Sequence, residues 1–270
     1  MIRLGVLGWP VAHSRSPAMQ NAALKAAELG DRWHYQLLPV PPELFEETVL
    51  ALPAAGFRGV NVTIPHKAAA LALATDASPR AKAIGAANTL VFEPDGRIFA
   101  DNTDAPALIQ KLRERIELSG ASALIMGAGG SARAAVWALL DADAREVLVW
   151  NRTPERAQQL ASELGARAVT EPLLPADVLI NCTSVGLEAA DELQVLLGRT
   201  YSLDKYRVVA DFVYREGGTP LVRAADASRV PTVDGLELLV AQGAIAFESF
   251  TGKSAPTDAM CAAVGLSSAP

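Results

Sequence analysis

Residues 123–140, ALIMGAGGSARAAVWALL, constrain this chain more than any other stretch. An apolar run ends at Met126, Gly127-Ala128-Gly129-Gly130 follows, and an Ala-rich helical pattern opens at Ser131. A strand, a tight glycine turn and a helix in that order place a pyrophosphate on a helix N-terminus, where backbone amides and the helix dipole favour an anion. The stretch lies near the middle of a 270-residue chain. The residues before it therefore have another task, and specificity is expected there.

Half of the residues are hydrophobic and a fifth are charged, ordinary for a chain with a real core. A net charge of -6 argues against a general surface for nucleic acid or anionic membrane, though not against a small anionic ligand that needs only local donors. The start, MIRLGVLGWP, reaches Gly and Pro too soon for a secretory signal. No apolar run approaches the roughly 20 residues that span a bilayer. Two cysteines, Cys182 and Cys261, do not make a disulfide framework. A cytoplasmic protein with no nucleic-acid or membrane partner is expected. The three histidines show no metal-ligand spacing with either cysteine, so no metal is predicted.

The first half alternates short apolar runs with helical patterns. Strands are predicted at Ile2–Gly8, Trp33–Val40 and Gly59–Ile64, and helices at Ser16–Gly30 and Pro42–Leu52. That alternation predicts a mostly parallel sheet with covering helices. Asn88–Phe92 and Arg97–Ala100 read as a hairpin around Pro94-Asp95-Gly96, and Asp104–Leu118 as a linking helix. Further strands are expected at Ala123–Met126, Glu146–Trp150, Val178–Asn181 and Val208–Phe212, with helices at Ser131–Leu140 and Pro154–Leu164. The apolar helix pattern Leu236–Phe250 then returns to the first domain. The fold class is α/β. An N-terminal α/β domain with a mostly parallel sheet (1–104 plus 234–270) and a Rossmann-like domain (105–233) are expected, with a cleft between them.

The glycine turn has the pattern G-x-G-x-x-A. Gly127, Ala128, Gly129, Gly130 and Ser131 offer backbone amides to phosphate, and Ala132 allows close helix–strand packing. The end of the following strand decides between cofactors. NAD-binding folds place an acid there for the ribose 2′-hydroxyl. Here Trp150 is followed by Asn151, Arg152, Thr153, Pro154, Glu155 and Arg156, with no carboxylate at the strand end. Thr153 is expected to cap a helix that begins with Pro154. Arg152 and Arg156 then flank the helix start and suit a 2′-phosphate, which favours NADP, with Glu155 a mild contrary charge. The loop after Asn181, with Thr183 and Ser184, is placed near the nicotinamide ribose because loops at strand C-termini line the ligand crevice. Cys182 reads as a small buried hydrophobe.

Three polar clusters lie in the first half: Ser14-Arg15-Ser16-Pro17, Asn61 to Lys67, and Asn88-Thr89 with Asn102-Thr103-Asp104. Separately, each has a bland explanation as a helix cap or a turn. In order they are SRSP, NVTIPHK, GAANT and NTD, followed by GAGGSARA at Gly127–Ala134, NRT at Asn151–Thr153 and DGLELLVAQGA at Asp234–Ala244. From Leu7 to about Gly252 this series resembles the shikimate dehydrogenase family.

The resemblance implies NADPH-dependent, reversible reduction of 3-dehydroshikimate to shikimate, a step toward aromatic amino acids. It implies Lys67 and Asp104 as the pair at the reacting hydroxyl, without saying which of them moves the proton. It implies substrate contacts from Ser14, Ser16, Asn61, Thr63, Asn88 and Gln242, with Tyr214 near the carboxylate or the nicotinamide, and Gly235 on the cofactor side. His66 keeps a structural role beside Lys67. Glu216 stands where the family has a proline after Tyr214, and Phe250 where tryptophan is common. A broader quinate/shikimate dehydrogenase, or a silent metabolite sensor of the same fold, are the competing readings. Ser16 and the Arg152 loop favour the NADP-dependent shikimate enzyme over the quinate reading, and the presence of both Lys67 and Asp104 disfavours the sensor. A monomer or homodimer acting on a small molecule is expected.

Overall fold

The computed structural model describes residues 1–188, 193–197 and 201–267. Packing divides the chain into two compact units, Met1–Thr103 with the chain from Leu239 onward, and Asp104–Leu238.

The first unit opens with β1 (Ile2–Gly8), α1 (Ser16–Ala26), β2 (Trp33–Pro39), a 3-10 turn at Pro42–Leu44, α2 (Phe45–Ala51) and β3 (Phe57–Val62). It continues with α3 (Lys67–Leu73), β4 (Asp76–Ala77), α4 (Pro79–Ile84), β5 (Thr89–Phe92) and β6 (Ile98–Asp101). The sheet order is β2-β1-β3-β5-β6-β4. β1 pairs in parallel with β2 and β3, whereas β5 runs antiparallel to both β3 and β6. The sheet is thus mostly parallel with one reversed strand. One face packs Leu7, Val60, Val62 and Leu90 against Phe45 and Val49 of α2.

Several boundaries depart from the sequence reading. α1 stops at Ala26, not Gly30. Glu28 turns left-handed at φ 59°, and the Leu29 N–H closes back on Leu24 O at 2.8 Å with Leu29 buried. This is a C-terminal closure that an apolar residue can anchor without glycine. The Pro42–Leu52 helix divides into the 3-10 turn and α2, and β3 covers Phe57–Val62 rather than Gly59–Ile64. α3, β4 and α4 occupy a stretch to which the sequence reading assigned no element.

The second unit comprises α5 (Asp104–Arg113), β7 (Ser122–Met126), α6 (Gly130–Asp141), β8 (Glu146–Trp150), α7 (Pro154–Leu164) and β9 (Arg167–Val169). Then come β10 (Val178–Asn181), α8 (Leu193–Leu197), β11 (Val208–Asp211), α9 (Pro220–Ala227), β12 (Thr232–Val233) and the start of α10 (Gly235–Thr251). The first unit takes the rest of α10 and α11 (Thr257–Val264). α5 ends at Arg113, short of the expected Leu118.

The six strands pair in parallel in the order β12-β11-β10-β7-β8-β9. This is the doubly wound order, with its reversal between β7 and β10. The residues of β7 alternate between two cores. Ala123 and Ile125 face α5, α6 and α7, while Leu124 and Met126 face α8 and α9. From Ala123 to Met126 the strand is buried on both faces and is apolar, which is why it shows as an unbroken run. Leu124 is wholly buried. Leu124→Ala is expected to destabilise the protein by about 2–5 kcal/mol, read as a lower urea midpoint.

Candidate functional site

In the first sheet β1, β3 and β6 point one way and β5 the other. The start of β5 therefore meets the ends of β3 and β6, with Asn61 opposite Thr89 and Thr89 opposite Asp101. Ser14–Ser16, Thr63–Lys67, Asn88 and Asn102–Thr103 all leave from this edge, as does the segment into Asp104.

The amides on the edge are tied to one another. Tyr35 Oη donates to Asn61 Oδ1 at 2.8 Å, and Asn61 Nδ2 donates to Thr89 Oγ1 at 3.1 Å and to Asn88 O at 3.3 Å. Both Nδ2 hydrogens of Asn61 are thus directed inward, and only Oδ1 is left to accept from a ligand. The Thr103 N–H donates to Asn88 Oδ1 at 2.8 Å, and Asn88 Nδ2 donates to Thr103 Oγ1 at 3.0 Å. Thr103 Oγ1 also reaches Gln242 Oε1 at 3.5 Å. Buried Gln20 of α1 donates through Nε2 to Gly243 O at 2.9 Å, which ties α1 to α10 next to Gln242. Asp101 accepts from Ser78, Arg80 and the Asn102 N–H, and its own carbonyl accepts from the Asn88 N–H.

No side chain caps α1. Ser14 Oγ accepts from the Ser16 N–H at 3.3 Å, and Ser16 is buried. Thr63 is half-buried and donates its N–H to Leu7 O. Lys67 opens α3 and is 8% exposed, and Asp104 opens α5 and is 6% exposed. The Lys67 carbonyl accepts from the Ala87 N–H at 2.9 Å, so the residues flanking the two ionisable groups share the Asn88–Thr103 network. His66 stacks on Phe45 at 4.5 Å, and its Nε2 lies 2.7 Å from Val40 O. Burial pushes its imidazole below the ordinary range, against the bond to Val40, which keeps the ring neutral near neutral pH.

In the second unit the glycine turn follows β7. Gly127 has φ 110°, and a Cβ there would lie 2.9 Å from the Cys182 carbonyl oxygen. Gly129 caps α6 with nothing within 4 Å of a Cβ position, and no side chain caps that helix. An uncapped twelve-residue helix opening on glycines fits a diphosphate. Ala128, Gly130 and Ser131 complete the turn, and Ala132 is fully buried. Arg152 and Arg156 are exposed at the start of α7, while Arg133 is held by Glu163 at 2.6 Å. Thr153 is the residue before α7, but its side chain makes no capping bond, contrary to the expectation. Its carbonyl instead accepts from Asn151 Nδ2 at 2.9 Å, so the amide and not the hydroxyl shapes this turn. With no carboxylate at the end of β8, the turn fits the 2′-phosphate of NADP.

Asp211, at the end of β11, is fully buried. Its Oδ1 accepts from Asn181 Nδ2 at 2.8 Å and the Val213 N–H at 3.0 Å, and its Oδ2 accepts from Thr219 Oγ1 at 2.6 Å. Asn181 Oδ1 accepts from the Thr183 N–H at 3.0 Å and Oγ1 at 2.7 Å, which shapes the loop that carries exposed Ser184. A Cβ on Gly235 would lie 2.3 Å from Val213 O and 2.9 Å from Tyr214 N, so only glycine lets α10 begin against that peptide. A reciprocal cap fixes this start, with Asp234 Oδ1 accepting from the Leu236 N–H and Glu237 Oε1 from the Asp234 N–H. Thr183, Tyr214 and Gly235, scattered in sequence, are therefore neighbours around Asp211. Sequence reasoning passed over Asp211, Asn181 and Thr219 here, and Tyr35, Arg80 and Gln20 in the first unit.

Comparison with known proteins agrees with these features. Residues 6–90 match the family model described as shikimate dehydrogenase substrate binding domain, and residues 108–197 that of shikimate / quinate 5-dehydrogenase. Residues 235–264 match the shikimate 5'-dehydrogenase C-terminal domain. The shikimate dehydrogenase (NADP(+)) of Paracoccus denitrificans is 43% identical, over 94% of this chain and 92% of that protein. That of Anaeromyxobacter dehalogenans is 44% identical, over 96% of this chain and 94% of that one. The crystal structure of shikimate 5-dehydrogenase from Thermus thermophilus in complex with NADP(H) and shikimate is 40% identical. It has a TM-score of 0.84 and covers 98% of this chain and 99% of that one.

Burial pushes the Asp211 carboxyl up to about 7, with the nearby Asp234 carboxylate adding to the rise and the bonds from Thr219, Val213 and Asn181 opposing it. A carboxyl raised in the folded state holds its proton more tightly than in the unfolded chain. Its contribution to stability is then complete below the ordinary carboxylate pKa and is lost as pH rises through the raised one. The unfolding midpoint of wild type minus that of Asp211→Asn is expected to fall between about pH 4 and about pH 7. A constant difference would show that the carboxyl titrates normally.

Proposed function

This chain belongs to the shikimate dehydrogenase family, and from that premise we propose how its own residues divide the work. It is an NADP-dependent oxidoreductase that interconverts 3-dehydroshikimate and shikimate in the shikimate pathway. The substrate-binding role falls to residues 1–104 with 234–270, and NADP binding to 105–233. The family models for substrate binding and for the dehydrogenase, at 6–90 and 108–197, support that division.

NADPH, when bound, supplies the hydride. Negative charge then builds on the ketone oxygen, and Lys67 is the group we assign to deliver a proton there, with Asp104 as its charged partner. Ser14 and Ser16 donate to the substrate carboxylate, and Asn61, Thr63, Asn88 and Gln242 meet the ring hydroxyls. Tyr214 we assign to the substrate carboxylate or to the nicotinamide beside it. The glycine turn from Gly127 to Ala132 receives the diphosphate, and Asn151, Arg152, Thr153 and Arg156 receive the 2′-phosphate. Thr183, Ser184 and Gly235 flank the nicotinamide end. The observation that carries this reading is the buried lysine at the head of α3, held beside a network of amides whose hydrogen bonds are already made. Such a network need not reorganise as charge develops. A chain with only two cysteines, Cys182 and Cys261, fits the cytoplasm as the compartment, and a monomer or homodimer as the working form fits a chain that supplies all the named groups itself.

Lys67→Ala is expected to lower kcat by about 10²–10⁴-fold while NADPH binds as in wild type. Unchanged turnover would remove Lys67 from the proton transfer. Initial rates with shikimate and quinate, each with NADP⁺ and NAD⁺, should strongly favour shikimate with NADP⁺. A preference for quinate or NAD⁺ would overturn the roles given to Ser16 and Arg152.

A further inference from the structure

The loops assigned to the nicotinamide end are not held by the parallel ladder, which stops at Asn181 and Asp211. Beyond that point Cys182 and Phe212 each make one backbone bond and the loop closes on Val185, but the side-chain bonds that join one segment to the next converge on one carboxylate. Asn181 links it to Thr183, the Val213 N–H links it to the peptide that touches Gly235, and Thr219 links it to the first turn of α9. Thr219 Oγ1 also accepts from the Val222 N–H at 3.2 Å as the cap of that helix. The Cys182–Thr183 peptide in turn lies against Gly127 of the phosphate turn.

We propose that Asp211 is a positioning residue of the NADP site: it fastens the Thr183–Ser184 loop, the Val213–Tyr214 segment and α9 into one arrangement, and so sets cofactor affinity without touching the cofactor. The carboxylate is fully buried, so it reaches the ligand only through these partners. Its loss leaves three donors inside the protein with no acceptor, and each loop then has to turn to find another. An asparagine preserves most of the arrangement. Its Oδ1 still accepts from Asn181 and Val213, and its Nδ2 donates to the Thr219 hydroxyl. The inference rests on the functional reading only for the identity of the ligand.

NADPH fluorescence titration of the full chain, together with steady-state rates, tests it. Asp211→Leu is expected to raise the NADPH Kd by about tenfold or more, with the KM for shikimate within about twofold of wild type. Asp211→Asn is expected to restore both to within about threefold. Folded Asp211→Leu that binds NADPH like wild type overturns the proposal, and so does an equal rise in both constants, which marks a general loss of structure. Should Asp211→Leu fail to fold, Thr219→Val decides, because it removes one partner and leaves the carboxylate. A weaker NADPH Kd with unchanged shikimate KM then supports the proposal, and an unchanged Kd overturns it. If wild type does not oxidise shikimate with NADP⁺, the functional reading falls, while the NADPH titration still judges Asp211.

Discussion

Where a parallel strand ends, its ladder no longer serves the backbone, and any polar side chain buried there has to find partners inside the protein. Both sheets meet this requirement with a short amide or acid that binds two segments at once. Asn88 holds Thr103, Asn61 holds Thr89, and Asn181 shares Asp211 with Val213 and Thr219. The chemistry-bearing loops inherit their shape from these pairs. The Asn88–Thr103 bond fixes the chain just before Asp104, and the Ala87 amide fixes the Lys67 carbonyl.

The proposed roles of the two units treat anions differently. To the first we assign hydroxyls and amides beside the buried lysine Lys67, with Asp101 already taken up by Arg80 and Ser78. A neutral donor set suits a carboxylate on a ring of hydroxyls, because it recognises shape and hydrogen-bond direction rather than charge alone. The second offers main-chain amides at an uncapped helix and two exposed arginines at the start of α7. Such a site suits phosphate, where the charge is larger and bidentate contact is available.

Much of the fold was legible because strand and helix periods are local. The run into Gly127 marks a strand buried on two faces, and the missing acid after Trp150 already separates one cofactor from the other. Helix ends were less legible. α1 closes on Leu29 rather than on Gly30, since a buried side chain can anchor the turn. α3 has no side-chain cap to announce it, whereas α4 has one, with Ser78 Oγ accepting from the Ala81 N–H. The supporting residues were hidden for another reason. Tyr35 meets Asn61 across 26 residues and Asn181 meets Asp211 across 30, so no local pattern couples them. The Thr153 hydroxyl caps nothing, and the turn is tied instead through the Thr153 carbonyl, which accepts from the Asn151 amide.

The reversed strand β5 has a consequence for how this sheet can vary. Its far end is joined to β6 by a tight turn in which the Glu93 N–H donates to Arg97 O, and Gly96 stands in open space at φ 87°. The hairpin therefore carries Asn88 at one tip and Asp101 at the other, while its loop lies a full strand length away. Length can be gained or lost at that loop without re-aiming either tip. In a sheet built only from crossovers, each strand would return through a helix, and every insertion would sit on a path between two ligand-facing loops. The hairpin decouples the two, and gives the molecule a place to diversify at its rear while its chemistry stands still.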